Sequence, residues 1–145
     1  MFIKKTFFAT EPTEGHGRKA KEKNMLEDEK LTYKIRGCVY DVYRELGAGF
    51  LEKVYENSLE IELLNQGLRV EKQYSLAVNY KGTIVGEFIA DFVIEDRVIL
   101  ELKAVNKLLP VHEAQLLNYL KVANIKVGLL VNFTYPKATV KRIVL

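Results

Sequence analysis

At 145 residues, 48% hydrophobic and 28% charged, the chain is sized for one globular domain with a substantial core. Its formal net charge is only +3, with bases and acids mixed along the chain, so charge alone is weak support for a polyanionic partner. A single cysteine excludes a disulfide framework and any multi-cysteine zinc site, and no apolar run approaches the ~20 residues that span a bilayer.

The first ten residues hold too short an apolar stretch for a secretory signal, so a cytoplasmic protein is the expectation. Glu11 to Asn24 is polar and turn-rich without apolar periodicity. Residues 1–25 therefore read as a disordered or extension tail, with Met25 as a candidate translation start, and residues 26–145 as one domain. From about Glu27 to Leu46, apolar residues at Leu31, Ile35, Val39, Val42 and Leu46 predict an amphipathic helix carrying Cys38 as a buried thiol. Gly47-Ala48-Gly49 ends it.

A second helix is expected from Phe50 to Gln66, with Leu51, Val54, Tyr55, Ser58, Ile61 and Leu64 as its inner face. Glu52 and Glu56 lie four apart, in line with Leu59 and Leu63, which sets two carboxylates at the margin of the core. Three strands follow, over Gln73–Tyr80, Thr83–Glu95 and Val98–Ala104, the first two joined by a turn at Lys81-Gly82. Pro110 opens a third helix to Ala123, a position where its missing N–H costs little. Lys126 to Phe133 reads as a fourth, buried strand, and Val140 to Leu145 is too short to assign beyond a candidate edge strand. The expected fold is α/β: a four-stranded mixed sheet flanked by helices, with strands one to three antiparallel and strands three and four parallel.

The chemistry concentrates between Ile89 and Ala104. Asp91, Glu101 and Lys103 sit among Phe, Val, Ile and Leu, and strands of that composition seldom carry charge. Glu101 and Lys103 share a face by parity, and a turn centred on Asp96 sets Asp91 opposite Glu101. Two adjacent buried carboxylates repel one another unless a cation intervenes. Oxygen donors suit Mg²⁺ or Mn²⁺, with the Leu102 carbonyl as a further ligand, and a phosphodiester is the natural substrate. The alternative is a structural ion pair of Lys103 with Asp91 or Glu101. His112, Gln115 and Tyr119 share one stripe of the third helix and, taken singly, are ordinary polar surface.

Together these residues resemble a known pattern. Asp91 followed by Glu101-Leu102-Lys103 is similar to the D…ExK signature of the PD-(D/E)XK nuclease superfamily. Gly49-Phe50-Leu51-Glu52-Lys53-Val54-Tyr55 matches the motif naming its GxxExxY family, and Gln115 to Tyr119 resembles the QxxxY helix motif of RecB-like members. One departure is Ala90, where the motif has proline. The resemblance implies a restriction-endonuclease-like αβββαβ core and metal-dependent hydrolysis of nucleic acid, DNA in preference to RNA, with Mg²⁺ or Mn²⁺ as cofactor. It assigns metal binding to Asp91 and Glu101 and sets Lys103 at the catalytic water. Glu56 or Glu52 completes the cluster, while Gln115 positions the phosphate or water and Tyr119 supports it. Nucleic acid is the implied partner, with a homodimer or partner subunit supplying specificity and no membrane. The rival from another class is a catalytically silent module on the same fold that binds nucleic acid or a protein.

Overall fold

Strand-forming alternation is realised as one five-stranded sheet in a computed structural model, which describes residues 16–145. The elements run α1 (His16–Leu46), α2 (Glu52–Asn65), β1 (Val70–Tyr80), β2 (Thr83–Ile94), β3 (Val98–Lys103), α3 (Pro110–Ala123), β4 (Val127–Asn132) and β5 (Thr139–Val144). Strand order follows the chain, antiparallel except for the β3–β4 pair. No described helix is long and apolar enough to cross a membrane.

The sheet is mixed and flanked by helices as expected, but it has five strands rather than four. Thr139–Val144 pairs with β4 from Asn132↔Thr139 to Val127↔Val144. As an edge strand it has no buried residue, so it lacks the apolar pattern by which strands are recognised. Residues 1–15 of the expected tail lie outside the described residues. Residues 16–25 are helical, the opening turns of α1, with Met25 exposed inside that helix. Their lysines, glutamate and alanine favour helix without needing a core, which explains the absence of apolar periodicity. Further along, α1 is tied to the β2–β3 turn: Arg97 donates to Glu27 at 2.6 Å, Asp28 at 2.7 Å and the Asn24 carbonyl at 2.9 Å.

Parity sorts the sheet into two apolar layers. Val98, Leu100 and Leu102 pack with Phe92, Ile94 and the inner residues of α1 and α2. Ile99 joins Val93, Leu130 and the α3 residues Leu116 and Leu120 on the opposite side. Cys38 is buried in the first layer, and burial pushes its thiol up to about 11, so it is a core residue. Gly128 allows α3 to approach β4, since an added Cβ there would stand 3.0 Å from three Leu116 carbons. Gly128→Ala is expected to cost about 1–3 kcal/mol in urea unfolding, the usual range for overpacking a core.

The inner face of α2 departs from the expectation. Tyr55, Glu56, Leu59 and Leu63 are buried, whereas Leu51, Val54, Ile61 and Leu64 are exposed. The helix carries two adjacent apolar stripes, and the one aligned with Glu52 and Glu56 faces the sheet. That orientation brings both glutamates toward the β2–β3 hairpin.

Candidate active site

The β2–β3 hairpin turns through Glu95 and Asp96, both at positive φ (54° and 53°), and is closed by Arg97 N donating to the Ile94 carbonyl at 3.0 Å. Its pairs Ile94↔Val98, Val93↔Ile99 and Phe92↔Leu100 are those of a turn centred on Asp96. The ladder then stops. At the next position side chains replace backbone partners: Asp91 N donates to Glu101 Oε1 at 3.0 Å, and Leu102 N donates to Asp91 Oδ2 at 2.7 Å. The two carboxyls hold apart strands that would otherwise zip together. On the other edge of β2, Gln73 takes a φ of 52° and drops out of the β1–β2 register between Lys72↔Phe92 and Tyr74↔Ala90. Asp91 therefore sits where both ladders are interrupted.

The opening is a cleft of about 310 Å³ lined by Glu52, Lys53, Glu56, Gln73, Asp91 and Leu102. Glu101 is buried behind it and Lys103, the last residue of β3, is partly exposed. Burial, and then the charge of Asp91, push the Glu101 carboxyl up to about 8. Burial also raises Asp91, helped by the charge of Glu56 and opposed by the Leu102 N–H and Lys103. Glu52 is raised by burial as well, against the opposing charge of Lys103. Glu101 and Asp91 are joined through the Asp91 N–H, and burial with the charge of one acid on the other makes it costly for both to ionise together. Lys103 makes no ion pair with a described residue, so the structural ion-pair alternative is not realised there.

Of the two helix glutamates, Glu56 is buried, whereas Glu52 is exposed at the cleft mouth and only partly desolvated there. Glu56 is already engaged: Lys53 Nζ lies 2.9 Å from its Oε2, and Gln73 Nε2 donates to its Oε1. Among the described residues, no three acidic, histidine or cysteine side chains stand close enough to hold a metal ion together. The donor set nevertheless suits a hard divalent cation, because Asp91 and Glu101 offer only oxygen and share a buried charge that a cation would neutralise. Two carboxylates are available to it; Glu56 joins them only by leaving Lys53, while Glu52 lines the mouth of the same cleft.

On α3, Gln115 is exposed and lines no part of the cleft, whereas Tyr119 stacks on Phe88 with ring centroids 4.1 Å apart. Tyr119 is close enough to the acids that burial and the charges of Glu101 and Asp91 raise its phenol. His112 is occupied at the start of α3, its Nδ1 accepting from Leu109 N at 3.0 Å.

Tyr55, the end of the Gly49–Tyr55 motif, acts on the fold. Its ring is fully buried and stacked 4.3 Å from Phe133. Its hydroxyl donates to the Gly47 carbonyl at 2.6 Å and accepts from Phe50 N at 3.2 Å. These bonds lock the turn in which Gly47 and Gly49 take φ of 66° and 106°, and so fix the end of α2 that carries Glu52 and Glu56. Tyr55→Phe is expected to lose about 1–2 kcal/mol by urea unfolding, the value of its two bonds. Gln73 and Asn132 escaped sequence reasoning as parts of the site. Gln73 holds Glu56 together with Lys53, its i,i+3 neighbour on α2. Asn132, paired with Lys103 across the parallel strands, clamps the chain beyond β3 through Val105, bonding its N–H at 3.0 Å and its carbonyl at 2.8 Å.

The sequence model of the PD-(D/E)XK nuclease superfamily matches residues 29–143, spanning every element from α1 to β5. The chain belongs to that superfamily. The narrower GxxExxY assignment stays with the motif alone. Among solved structures, the fold is similar to that of SSO0001 at 22% identity and a TM-score of 0.54, covering 63% of this chain and 48% of that one. An alkaline exonuclease from Laribacter hongkongensis matches at 15% identity and a TM-score of 0.48, covering 63% of this chain and 55% of its own. This chain thus spans about half the length of the solved proteins it matches. No curated protein matches it.

Proposed function

We propose that the chain is a divalent-cation-dependent nuclease that hydrolyses phosphodiester bonds in nucleic acid, DNA in preference to RNA. The observation that carries this reading is the Asp91–Glu101 pair, a half-buried and a buried acid side by side at an interrupted ladder with Lys103 two residues beyond. A structural element gains nothing from such an arrangement, whereas a cation site requires it. The preference for DNA, and Mg²⁺ or Mn²⁺ as the ion, follow the resemblance and the all-oxygen donors.

In this reading Asp91 and Glu101 hold the cation, with the Leu102 carbonyl beside them and Glu56, or Glu52 at the cleft mouth, as the helix carboxylate. A divalent cation, when bound, offsets the charge that develops on the phosphoryl group. Lys103 orients the attacking water and helps remove its proton. Attack forms one P–O bond and breaks the bond to the leaving oxygen, which takes up a proton from solvent. Gln115, exposed on α3 outside the cleft, would position the phosphate or water only of a strand extending past the cleft rim, with Tyr119, braced by Phe88, supporting it. A homodimer or partner subunit supplying specificity belongs to the same reading. The rival, a silent module that binds nucleic acid or a protein partner, is favoured by one observation: Glu56 is already satisfied by Lys53 and Gln73.

Incubating linear, nicked and single-stranded DNA with Mg²⁺ or Mn²⁺ separates the two readings. Cleavage by the wild type that disappears in both Asp91→Ala and Lys103→Ala supports the nuclease. Equal residual cleavage in all three proteins removes it.

A further inference from the structure

A second cleft, of about 480 Å³, lies on the solvent side of α1, remote from the carboxylates. Tyr33, Gly37 and Tyr40 follow one another there at spacings of four and three and so share a helix face. Tyr33 is 82% exposed and Tyr40 44%, unusual for aromatic rings with no packing to gain. Between them, Gly37 sits inside a 31-residue helix, where glycine is unfavourable, and a Cβ at that position would meet nothing within 4 Å. Among the described residues, no contact explains the glycine. Its effect is to open a slot between two rings spaced about 10 Å apart along the axis. Lys30, Lys34 and Arg36 line the same cleft and make no ion pair with a described residue. The one acid in its wall, Asp41, pairs with Arg44 at 3.2 Å.

Exposed rings interleaved with free cations match one ligand chemistry, an anionic strand bearing unstacked bases. A duplex keeps its bases stacked and offers nothing for two tyrosines to stack on. We propose that this face of α1 is an accessory binding site for single-stranded nucleic acid: bases stack on Tyr33 and Tyr40 across the Gly37 slot, and Lys30, Lys34 and Arg36 bind the backbone. The cleft reaches Gln66, at the far end of α2 from Glu52, about 20 Å along that helix. A few unstacked nucleotides cover that distance, so the site would hold a strand whose continuation reaches the carboxylate cleft. The inference rests on the nuclease reading for its substrate but concerns binding alone.

The test is fluorescence anisotropy of labelled oligothymidylate and of a duplex, in EDTA, with the full-length Asp91→Ala protein as background. Tyr33→Ala with Tyr40→Ala is expected to weaken single-strand binding at least about tenfold, the effect of removing a stacking platform. Gly37→Leu fills the slot while improving helix propensity, so weakened binding in that variant cannot come from unfolding. Replacing Lys30, Lys34 and Arg36 with Gln should make the salt dependence shallower by roughly two in log–log slope, at about 0.7 per lost phosphate contact. Unchanged single-strand affinity in the tyrosine and glycine variants overturns the proposal, as does equal or tighter binding of the duplex. Loss of a dimer in Gly37→Leu, read by light scattering, also overturns it, since the face would then be a contact between copies of the chain. Because cleavage is not measured, failure here leaves the nuclease reading standing, and failure of cleavage leaves this binding result intact.

Discussion

Lys103→Ala is expected to lower the rate of phosphodiester cleavage by about 10²–10⁴-fold, the range for removing a positioned proton-transfer group. The backbone at this position is fixed independently of the side chain: the Lys103 carbonyl accepts from Phe133 N at 2.8 Å, and the strand pairs with β4 up to Asn132. The variant should therefore keep its melting temperature while losing its rate. Lys103 also sets the local field, opposing the raised carboxyls of Glu52, Asp91 and Glu101. Lys103→Arg distinguishes the two contributions. Arginine keeps the charge but does not give up a proton, so a proton role predicts that it stays as slow as the alanine variant. Full recovery by arginine would reduce Lys103 to an electrostatic part.

Glu101→Gln is expected to stabilise the metal-free protein at alkaline pH while abolishing activity. The folded state holds the Glu101 proton up to about 8, above the ordinary value of 4.5. Between those values the folded chain binds more protons than the unfolded one, so stability falls as pH rises. The contribution is complete below about 4.5 and gone above about 8. Glutamine carries no charge at any pH, still accepts from Asp91 N, and places a neutral amide beside the Asp91 carboxylate. At pH 8.5 in EDTA its melting temperature should exceed that of the wild type by roughly 3–6 °C, the shift produced by about 1 kcal/mol in a domain of this size. At pH 5 the two proteins should converge. A wild type as stable as Glu101→Gln at both pH values would mean that the carboxyl pair stores no electrostatic cost.

The same pair was the most legible part of the sequence. Charges in an apolar hairpin, with parity and a turn centred on Asp96, gave the register that the strands adopt, and Pro110 and Ala123 bounded α3 as observed. Legibility failed where burial and pattern diverge. On α2, two apolar stripes compete, and only packing against the sheet selects Tyr55, Leu59 and Leu63 over Leu51, Val54 and Ile61. An edge strand without a buried residue leaves β5 no more than a candidate over Val140–Leu145, and the first turns of α1 are helical with no apolar face to announce them. Gln73 was invisible as a site residue for a different reason. Its role exists only once α2 is laid over the β1–β2 edge, bringing Glu56 within its reach. No local spacing encodes that contact, whereas Lys53 and Glu56 are i,i+3 neighbours on one helix, a spacing the sequence does carry.

In the proposed function Asp91 and Glu101 are two ligands of one cation site. Thermal unfolding of the wild type and Asp91→Ala across a Mn²⁺ titration at pH 7.5 tests it without reference to activity. Binding to the folded state alone stabilises by about 2.7 kcal/mol at one hundred times the dissociation constant. The wild-type melting temperature should therefore climb steadily with Mn²⁺ while that of Asp91→Ala stays flat. Equal response of the two proteins, or no response in either, would contradict the claim.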